Sequence, residues 1–202
     1  MKNEALSRVT EHYSKNKEKF KSRLEEFKQI KPEDYFYELV FCILTPQSQA
    51  KKCWQAVLEL KQGNLDLEAC LRNKTRFHNN KAKYIRELEK KWPEIKGKIE
   101  SLETVELRNW LSENVKGLGL KEASHFLRNI GKSDNQIAIL DRHILRNLVE
   151  LKVISKEQRE SLNKKTYLEL EQVMKQFAES INIPLDKLDL LFWSKETGEI
   201  FK

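Results

Sequence analysis

VKGLGLKEASHF, residues 115–126, is the stretch that decides the fold of this chain. The residues before it have a helical pattern, and Gly117 and Gly119 tolerate the backbone conformations and close approaches that a tight turn needs. A second helix is predicted over residues 120–130, with Gly131 just past its end, where glycine often stops a helix. The stretch therefore predicts a helix, a tight hairpin and a second helix.

Two interpretations of this hairpin are open from its residues alone. With the side chains cleared away by glycines, the first backbone N–H groups of the second helix can point outward and bind an anion such as a DNA phosphate. The other interpretation is an ordinary αα-hairpin, because a bare Gly-X-Gly is common. In both, one stripe of the second helix faces inward and consists of Ala123, Phe126, Leu127 and Ile130.

The composition favours a folded, helix-rich protein. Hydrophobic residues make up 39% of the 202 residues and charged residues 34%, while glycine and proline number only 6 and 4. Lys and Arg exceed Asp and Glu by 38 to 31, so the net charge is +7. Such an excess suits a polyanionic partner, although many basic proteins bind none.

Helical periodicity continues along almost the whole chain, and no strand pair with hairpin chemistry interrupts it. Residues 33–44 are nearly all apolar after the first turn and predict a central buried helix. Capping boxes at Ser155/Gln158 and Thr166/Glu169 predict two later helix starts. Further helices support the all-α class. One is predicted to start with Thr45 as N-cap and Pro46 as its first residue, and the last is predicted to start with Pro184 as its first residue. The others are predicted at 66–72, 79–91, 93–100 and 104–113.

The cysteines and the N-terminal residues indicate a cytoplasmic protein. Cys42, Cys53 and Cys70 lie in or beside apolar helical patterns without metal-type spacing, so we interpret them as reduced core residues. The first 20 residues are polar and charged, and no apolar run reaches membrane-spanning length. We expect no membrane partner.

Lys121 is the unusual residue of the hairpin. A lysine in the first turn of a helix lies against the positive end of the helix dipole, at a cost of roughly 0.3–1 kcal/mol that falls on the protonated form. The neutral amine that can attack carbon is favoured accordingly. Asp141, twenty residues later in ILDRH, lies where an apolar stretch meets the next predicted helix, and it can serve as an N-cap, as a catalytic carboxylate, or as both.

Four motifs in this order resemble the helix-hairpin-helix DNA glycosylase superfamily. GLGLKEA at 117–123 followed by LDRH at 140–143 resembles its hairpin and catalytic aspartate, and FHNNKAKYI at 77–85 resembles its YNxKAxxI stretch. LTPQSQA at 44–50 resembles its LSxQ segment. The match departs from the usual pattern at Lys116, which stands where a proline is common, and before Asp141, where no Gly-Pro precedes.

The resemblance is greatest to the compact second class of 8-oxoguanine DNA glycosylase/AP lyases. It implies that Lys121 and Asp141 are the catalytic pair, that Gln47 enters the duplex, and that 8-oxoguanine is excised through a Schiff base before strand cleavage by β-elimination. It further implies a base pocket formed by Phe77, Trp193 and the carboxylate of Lys202. For these three residues the sequence alone favours packing or a frayed tail. Phosphate contacts are expected from the hairpin backbone at Gly117 and Gly119 and from Lys116, Lys81, Lys83 and Arg142.

The implied architecture has two helical lobes, 31–130 and 1–30 plus 131–202, with a DNA-binding cleft between them. We expect a monomer that binds double-stranded DNA containing 8-oxoguanine, no iron–sulfur cluster or other cofactor, and a monovalent cation held by the hairpin backbone. His125 and His143 lack partners at metal-ligand spacing, so we treat both as structural.

Two rival hypotheses belong to other functional classes. A non-catalytic hairpin module that grips the DNA backbone explains the glycines and the charge but leaves Lys121 and Asp141 together unexplained. A helical protein-interaction domain explains none of the four motifs.

Overall fold

The computed structural model describes residues 2–63 and 66–202. Within these ranges the chain forms eleven α-helices, one short 3-10 turn at Pro32–Asp34 and no strand, so the all-α prediction is confirmed. The chain divides into two compact units, which we call the hairpin unit, Ile30–Ile130, and the terminal unit, Met1–Gln29 with Gly131–Lys202. None of the helices in the described ranges combines the length and the apolar character that a bilayer span requires.

The hairpin unit is arranged around one buried helix. Its helices are α2 (Tyr35–Leu44), α3 (Ala50–Lys61), α4 (Leu67–Leu71), α5 (His78–Ser101), α6 (Thr104–Asn114) and α7 (Leu120–Asn129). Every residue from Leu39 to Leu44 is 1% exposed or less, and α2 packs against α3, α5 and α7. The predicted central buried helix is therefore confirmed, and the 3-10 turn precedes it.

The predicted helix start at Thr45 and Pro46 was wrong. The Thr45 N–H donates to the Phe41 carbonyl at 3.1 Å, so Thr45 ends α2 instead of opening the next helix. A turn follows, and α3 begins at Ala50 with Gln49 as its N-cap residue. The carbonyl of Leu44, the last residue of α2, and that of Pro46 in the turn accept hydrogen bonds from the Lys81 ammonium.

The two helices predicted on either side of Pro93 are one continuous helix, α5. A proline removes one N–H from a helix, which is costly when the freed carbonyl is buried. Pro93 lies on the exposed side of α5, while Ile85 and Ile95 lie on its buried face. The apolar stripe therefore continues across the proline, and packing of this face sustains the helix.

The terminal unit contains the other five helices, whose starts test the predicted caps. They are α1 (Lys2–Lys28), α8 (Arg142–Glu150), α9 (Lys156–Glu160), α10 (Lys164–Ser180) and α11 (Leu185–Thr197). The Ser155/Gln158 capping box is confirmed. The predicted Thr166/Glu169 box was wrong, because Asn163 caps α10 and Thr166 supplies the reciprocal bond, at 2.7 Å from Thr166 Oγ1 to Asn163 N. Pro184 is the N-cap residue of α11, one position before the predicted place.

The extended segment before α8 is fixed by α10. Residues 137–140 are all buried. The Ala138 N–H donates to Glu171 Oε2 at 2.7 Å, and its carbonyl accepts the Tyr167 hydroxyl at 2.7 Å. The Leu140 N–H in turn donates to that hydroxyl oxygen at 3.2 Å. These bonds satisfy the backbone of a segment that has no strand partner, and they fix where Asp141 begins α8.

Candidate active site

The predicted hairpin forms between α6 and α7. The Leu118 N–H donates to the Val115 carbonyl at 3.2 Å, which closes a tight turn between the two helices. Gly117 has a φ of +86°, and a Cβ there would lie 2.7 Å from Cδ2 of the Tyr84 ring. A glycine is required at 117 on both counts. Gly119 is different, because its backbone is extended and a Cβ there would face the Glu122 carboxylate.

Lys121 lies in the first turn of α7, and its amine contacts the next side chain. Its Nζ donates to Glu122 Oε1 at 3.1 Å, and its side chain is 26% exposed. The other carboxylate oxygen of Glu122 accepts the Gly119 N–H at 3.1 Å. Glu122 therefore connects the amine to the backbone of the hairpin, and it occupies one of the N–H groups that we expected a phosphate to use.

Glu122 is a site residue that the sequence interpretation missed. In a capping box, a glutamate three positions after the N-cap residue accepts the backbone N–H of that N-cap residue. This bond can form even where the N-cap residue is a glycine instead of the usual serine. That spacing was visible in GLKE at 119–122 and predicts the bond to the Gly119 N–H. Its contact with Lys121, however, depends on side-chain rotamers.

Lys81, predicted as a phosphate contact, is instead buried. It is 5% exposed, and its ammonium faces the carbonyls of Leu44 and Pro46. The pKa of Lys81 is lowered from 10.5 to about 8, mainly by burial and in smaller part by the nearby positive charges of Lys121 and Arg76. An ammonium enclosed in this way cannot meet a DNA phosphate at the surface, so we correct its assignment to a structural one within the hairpin unit.

Gln47, expected to enter the duplex, and Phe77, expected to line the base pocket, are both exposed and both have left-handed backbones. Gln47 has a φ of 55° and Phe77 a φ of 56°, a region that non-glycine residues enter at a cost of about 1–2 kcal/mol. The Phe77 side chain is 55% exposed, and the Arg76 guanidinium lies 5.3 Å from its ring centroid. Packing in the core, the alternative for Phe77, does not describe this position.

Asp141 is the N-cap residue of α8. Its Oδ1 accepts the backbone N–H groups of His143 and Ile144, each at 2.8 Å. Its Oδ2 accepts the indole N–H of Trp193 at 2.9 Å. The capping interpretation is therefore confirmed. The second oxygen is held by a residue that is 52 positions away and was also predicted to belong to the site.

Trp193 and His143 form a small aromatic cluster beside Asp141. Their ring centroids are 5.3 Å apart, and His143 Nδ1 lies 3.9 Å from Glu196 Oε2. Glu196 is also bound by Arg146 and by the Asn147 amide. Trp193 is thus held by α8 on one side while its indole N–H is directed at the Asp141 carboxylate.

The remaining predicted DNA contacts lie at the surface. Lys116 is exposed and pairs with Glu87 at 3.1 Å, and Lys83 is exposed on α5. Arg142, in the first turn of α8, is exposed and its Nε donates to His143 Nε2 at 3.2 Å. Lys202 is half-buried at the end of a tail that Arg23 of α1 holds by a bond to the Ile200 carbonyl.

The described ranges contain free thiols but no cluster of metal ligands. No group of three or more His, Cys, Asp or Glu side chains there is arranged to hold a metal ion. Cys42, Cys53 and Cys70 are free and buried, and burial raises the pKa of all three thiols. At the end of α6 the Lys91 ammonium donates to the Asn114 carbonyl at 3.1 Å.

Comparison with known proteins identifies the family. The family model of 8-oxoguanine DNA glycosylase matches residues 20–183. The 8-oxoguanine DNA glycosylase/AP lyase of Fusobacterium nucleatum is 47% identical, over 100% of this chain and 99% of its own. The chain belongs to the 8-oxoguanine DNA glycosylase family. The superfamily resemblance, and within it the compact second class, is thereby confirmed.

Solved structures agree with this membership. The crystal structure of the 8-oxoguanine DNA glycosylase of Thermotoga maritima superposes with a TM-score of 0.87 at 32% identity, and covers 100% of both chains. The 8-oxoguanine glycosylase/lyase of Methanocaldococcus jannaschii, in complex with a 15mer DNA containing 8-oxoguanine, superposes with a TM-score of 0.85 at 36% identity, over 97% of this chain and 98% of that one. The chain therefore has the same all-helical fold as these two solved glycosylases, over nearly its whole length.

Proposed function

We propose that Lys121 is the nucleophile through which this 8-oxoguanine DNA glycosylase/AP lyase acts. The observation that carries the proposal is the position of its amine, at a helix start, partly exposed and hydrogen-bonded to Glu122. A primary amine at a partly exposed position can reach a sugar carbon and form a Schiff base with it, and the Glu122 carboxylate beside it can accept the proton that the amine gives up. Lys81, the other lysine near this region, has its ammonium enclosed by acceptors and cannot reach a sugar carbon.

The reaction that follows is covalent. The Lys121 amine attacks C1′ of the damaged nucleotide, the bond from C1′ to the base breaks, and the base leaves with the electron pair and takes up a proton. The nitrogen, now bonded to C1′, gives up one proton; the C1′–O4′ bond then breaks, O4′ takes up a proton to become a hydroxyl, and the nitrogen lone pair forms the C=N bond of a protonated Schiff base. Removal of a C2′ proton then expels the 3′ phosphate by β-elimination. The base must first be extruded from the duplex, at a few kcal/mol of unstacking.

Asp141 is proposed as the carboxylate that stabilises positive charge on the sugar during attack. Its Oδ1 is committed to two backbone N–H groups and its Oδ2 to the Trp193 indole. Three donors hold the carboxylate in one orientation, which is what electrostatic stabilisation of a transition state requires. Charge and capping therefore coexist in one side chain, and we assign Lys121 and Asp141 to the same nucleotide.

Recognition of the substrate is assigned to further residues and to the hairpin backbone. Gln47 fills the gap left by the extruded base, and Phe77, Trp193 and the Lys202 carboxylate contact 8-oxoguanine. The hairpin backbone at Gly117 and Gly119, with Lys116 and Arg142, binds phosphates. A monomer that acts on double-stranded DNA, with a monovalent cation at the hairpin, completes the proposal.

The test compares the wild type with Lys121→Gln on a duplex with one 8-oxoguanine. We expect the wild type to release the base and cut the strand, and the variant to do neither while it still binds the duplex. Lys90→Gln, on the exposed face of α5, is the matched control and should behave as the wild type. Binding without excision by the wild type would favour the non-catalytic hairpin module instead.

A further inference from the structure

We infer that Lys81 is a positioning residue for substrate recognition, because its buried ammonium joins the turn that carries Gln47 to the turn that carries Phe77. The inference deepens the proposed function and rests on it, since it takes Gln47 to fill the gap left by the extruded base and Phe77 to contact that base. Lys81 itself touches no substrate.

The ammonium has acceptors from both turns. Lys81 Nζ donates to the Leu44 carbonyl at 2.8 Å and to the Pro46 carbonyl at 2.9 Å, on the turn that leads into Gln47. It also donates to Thr75 Oγ1 at 2.8 Å, two residues before Phe77. An ammonium offers three N–H donors, and these three short contacts use them all.

Two hydroxyl groups join the same turns a second time. Ser48 Oγ and Thr75 Oγ1 are 2.9 Å apart, and Thr75 Oγ1 donates to the Leu44 carbonyl at 2.8 Å. The Arg76 N–H, immediately before Phe77, donates to Ser48 Oγ at 3.0 Å. Lys81 lies 3.3 Å from that same oxygen. The turns are therefore held by one connected network with the ammonium at its centre.

The network explains how two strained residues persist. Gln47 and Phe77 both have positive φ, and non-glycine residues keep that conformation only where the surrounding structure over-determines it. Both side chains are exposed, so their own packing does not supply the constraint. The bonds from Lys81 to the Leu44 and Pro46 carbonyls fix the backbone before Gln47, and the bond from the Arg76 N–H to Ser48 Oγ fixes the backbone before Phe77.

The charge of Lys81 is kept at a cost. Burial disfavours the cation, as do the positive charges of Lys121 and Arg76, while the carboxylate of Glu122 and the Cys53 sulfur favour it. A buried charge that is retained against desolvation is often retained for the geometry that it imposes. Here that geometry is the placement of two exposed side chains of the recognition surface.

The experiment separates positioning from stability by using two substrates. Lys81→Met keeps the length of the side chain and removes its donors, and Lys90→Met on the exposed face of the same helix is the control. Single-turnover base release is measured on an 8-oxoguanine duplex, and strand cleavage on a duplex with a preformed abasic site, where no base has to be held. We expect base release by Lys81→Met to fall roughly tenfold to hundredfold, the scale of a misplaced contact, and abasic-site cleavage to change by less than about threefold.

A double-mutant comparison tests whether Lys81 acts through Phe77. If it does, adding Lys81→Met to Phe77→Ala should slow base release little beyond the slower single variant, because the effects are coupled. Thr75→Val, which removes one hydroxyl of the network without changing the side-chain volume, should give the same selective loss at smaller size. It keeps the test available if Lys81→Met does not fold.

The outcomes are distinct. Base release at the wild-type rate in Lys81→Met overturns the inference, and so does an equal loss on both substrates, which would make Lys81 a residue of the fold only. Full multiplicativity with Phe77→Ala also overturns it. Normal base release by Phe77→Ala would instead refute the role proposed for Phe77, and loss of both activities in Lys121→Gln checks the proposed function independently.

Discussion

Asp141→Asn separates the two roles of this side chain, because asparagine caps helices as well as aspartate does. In the variant, one side-chain oxygen can still accept the N–H groups of His143 and Ile144, at 2.8 Å each in the wild type. The amide nitrogen then faces the Trp193 indole N–H, which donates to Asp141 Oδ2 at 2.9 Å. Two N–H donors then face each other. If the amide is flipped, its nitrogen instead faces the N–H groups of His143 and Ile144, so the helix cap is lost.

The size of the effect follows from this one contact. A hydrogen bond to a charged group contributes about 1.5–3 kcal/mol, and partial exposure reduces it. We therefore expect Asp141→Asn to lower the free energy of unfolding by about 1–2 kcal/mol. Trp193→Phe removes the opposing donor, and in that background the cost of Asp141→Asn should fall below about 0.5 kcal/mol.

Catalysis should follow a different pattern from stability. The proposed role of Asp141 is its charge, which asparagine lacks in both backgrounds, so single-turnover base release should fall on the order of a hundredfold or more with or without Trp193. Chemical unfolding and base release on an 8-oxoguanine duplex are the two assays, with DNA binding as a control. Wild-type base release by Asp141→Asn would refute the catalytic role and leave only the cap.

Three further predictions concern glycines and the buried lysine. Gly131→Ala places a Cβ 2.6 Å from the Lys28 Cα, on a backbone with a φ of +70°, and should lower the free energy of chemical unfolding by at least about 2 kcal/mol. Gly97→Ala, whose Cβ would meet nothing within 4 Å, is the control and should raise that free energy by about 0.5–1 kcal/mol. Gly117→Ala meets the Tyr84 ring at 2.7 Å, so it should weaken binding to undamaged duplex as well as to lesion DNA in a fluorescence titration; equal affinities for wild type and variant would argue against the hairpin contact. The pKa of Lys81 is lowered from 10.5 to about 8, so between these values the unfolded chain binds more protons than the folded one and the free energy of unfolding should rise with pH. Denaturant titrations at pH 7.5 and 9.5 should show a smaller rise in Lys81→Met than in the wild type. An equal rise in both proteins would contradict the prediction.

The helices could be predicted from the sequence where one face is continuously apolar. The six buried residues from Leu39 to Leu44 and the stripe on α7 are examples, because burial fixes their orientation whatever lies around them. The wrong predictions concern where helices begin and end. Thr45 with Pro46 has the residue types of a helix start, yet the chain turns there because acceptors of a distant lysine lie in that turn. Pro93 has the residue type of a break, yet packing on the opposite face continues the helix.

The site was predictable in its residue types more than in its contacts. Lys121 stands out because a lysine in a first turn opposes the helix dipole, and Asp141 because it precedes an apolar helix. The bond from Trp193 to Asp141 joins positions 52 apart, which no local pattern encodes. Lys81 was placed at the surface for a similar reason, since a lysine on a helix is usually solvated and its acceptors lie 6 to 37 positions away.

The central claim is that Lys121 forms the covalent bond to DNA, and reduction of the Schiff base tests it most directly. The enzyme is incubated with an 8-oxoguanine duplex in the presence of borohydride, and the covalent product is digested and mapped by mass spectrometry. We predict one trapped adduct on Lys121, its loss in Lys121→Gln with retained DNA binding, and full yield in Lys90→Gln. Trapping at full yield in Lys121→Gln, or an adduct that maps to another lysine, would contradict the account.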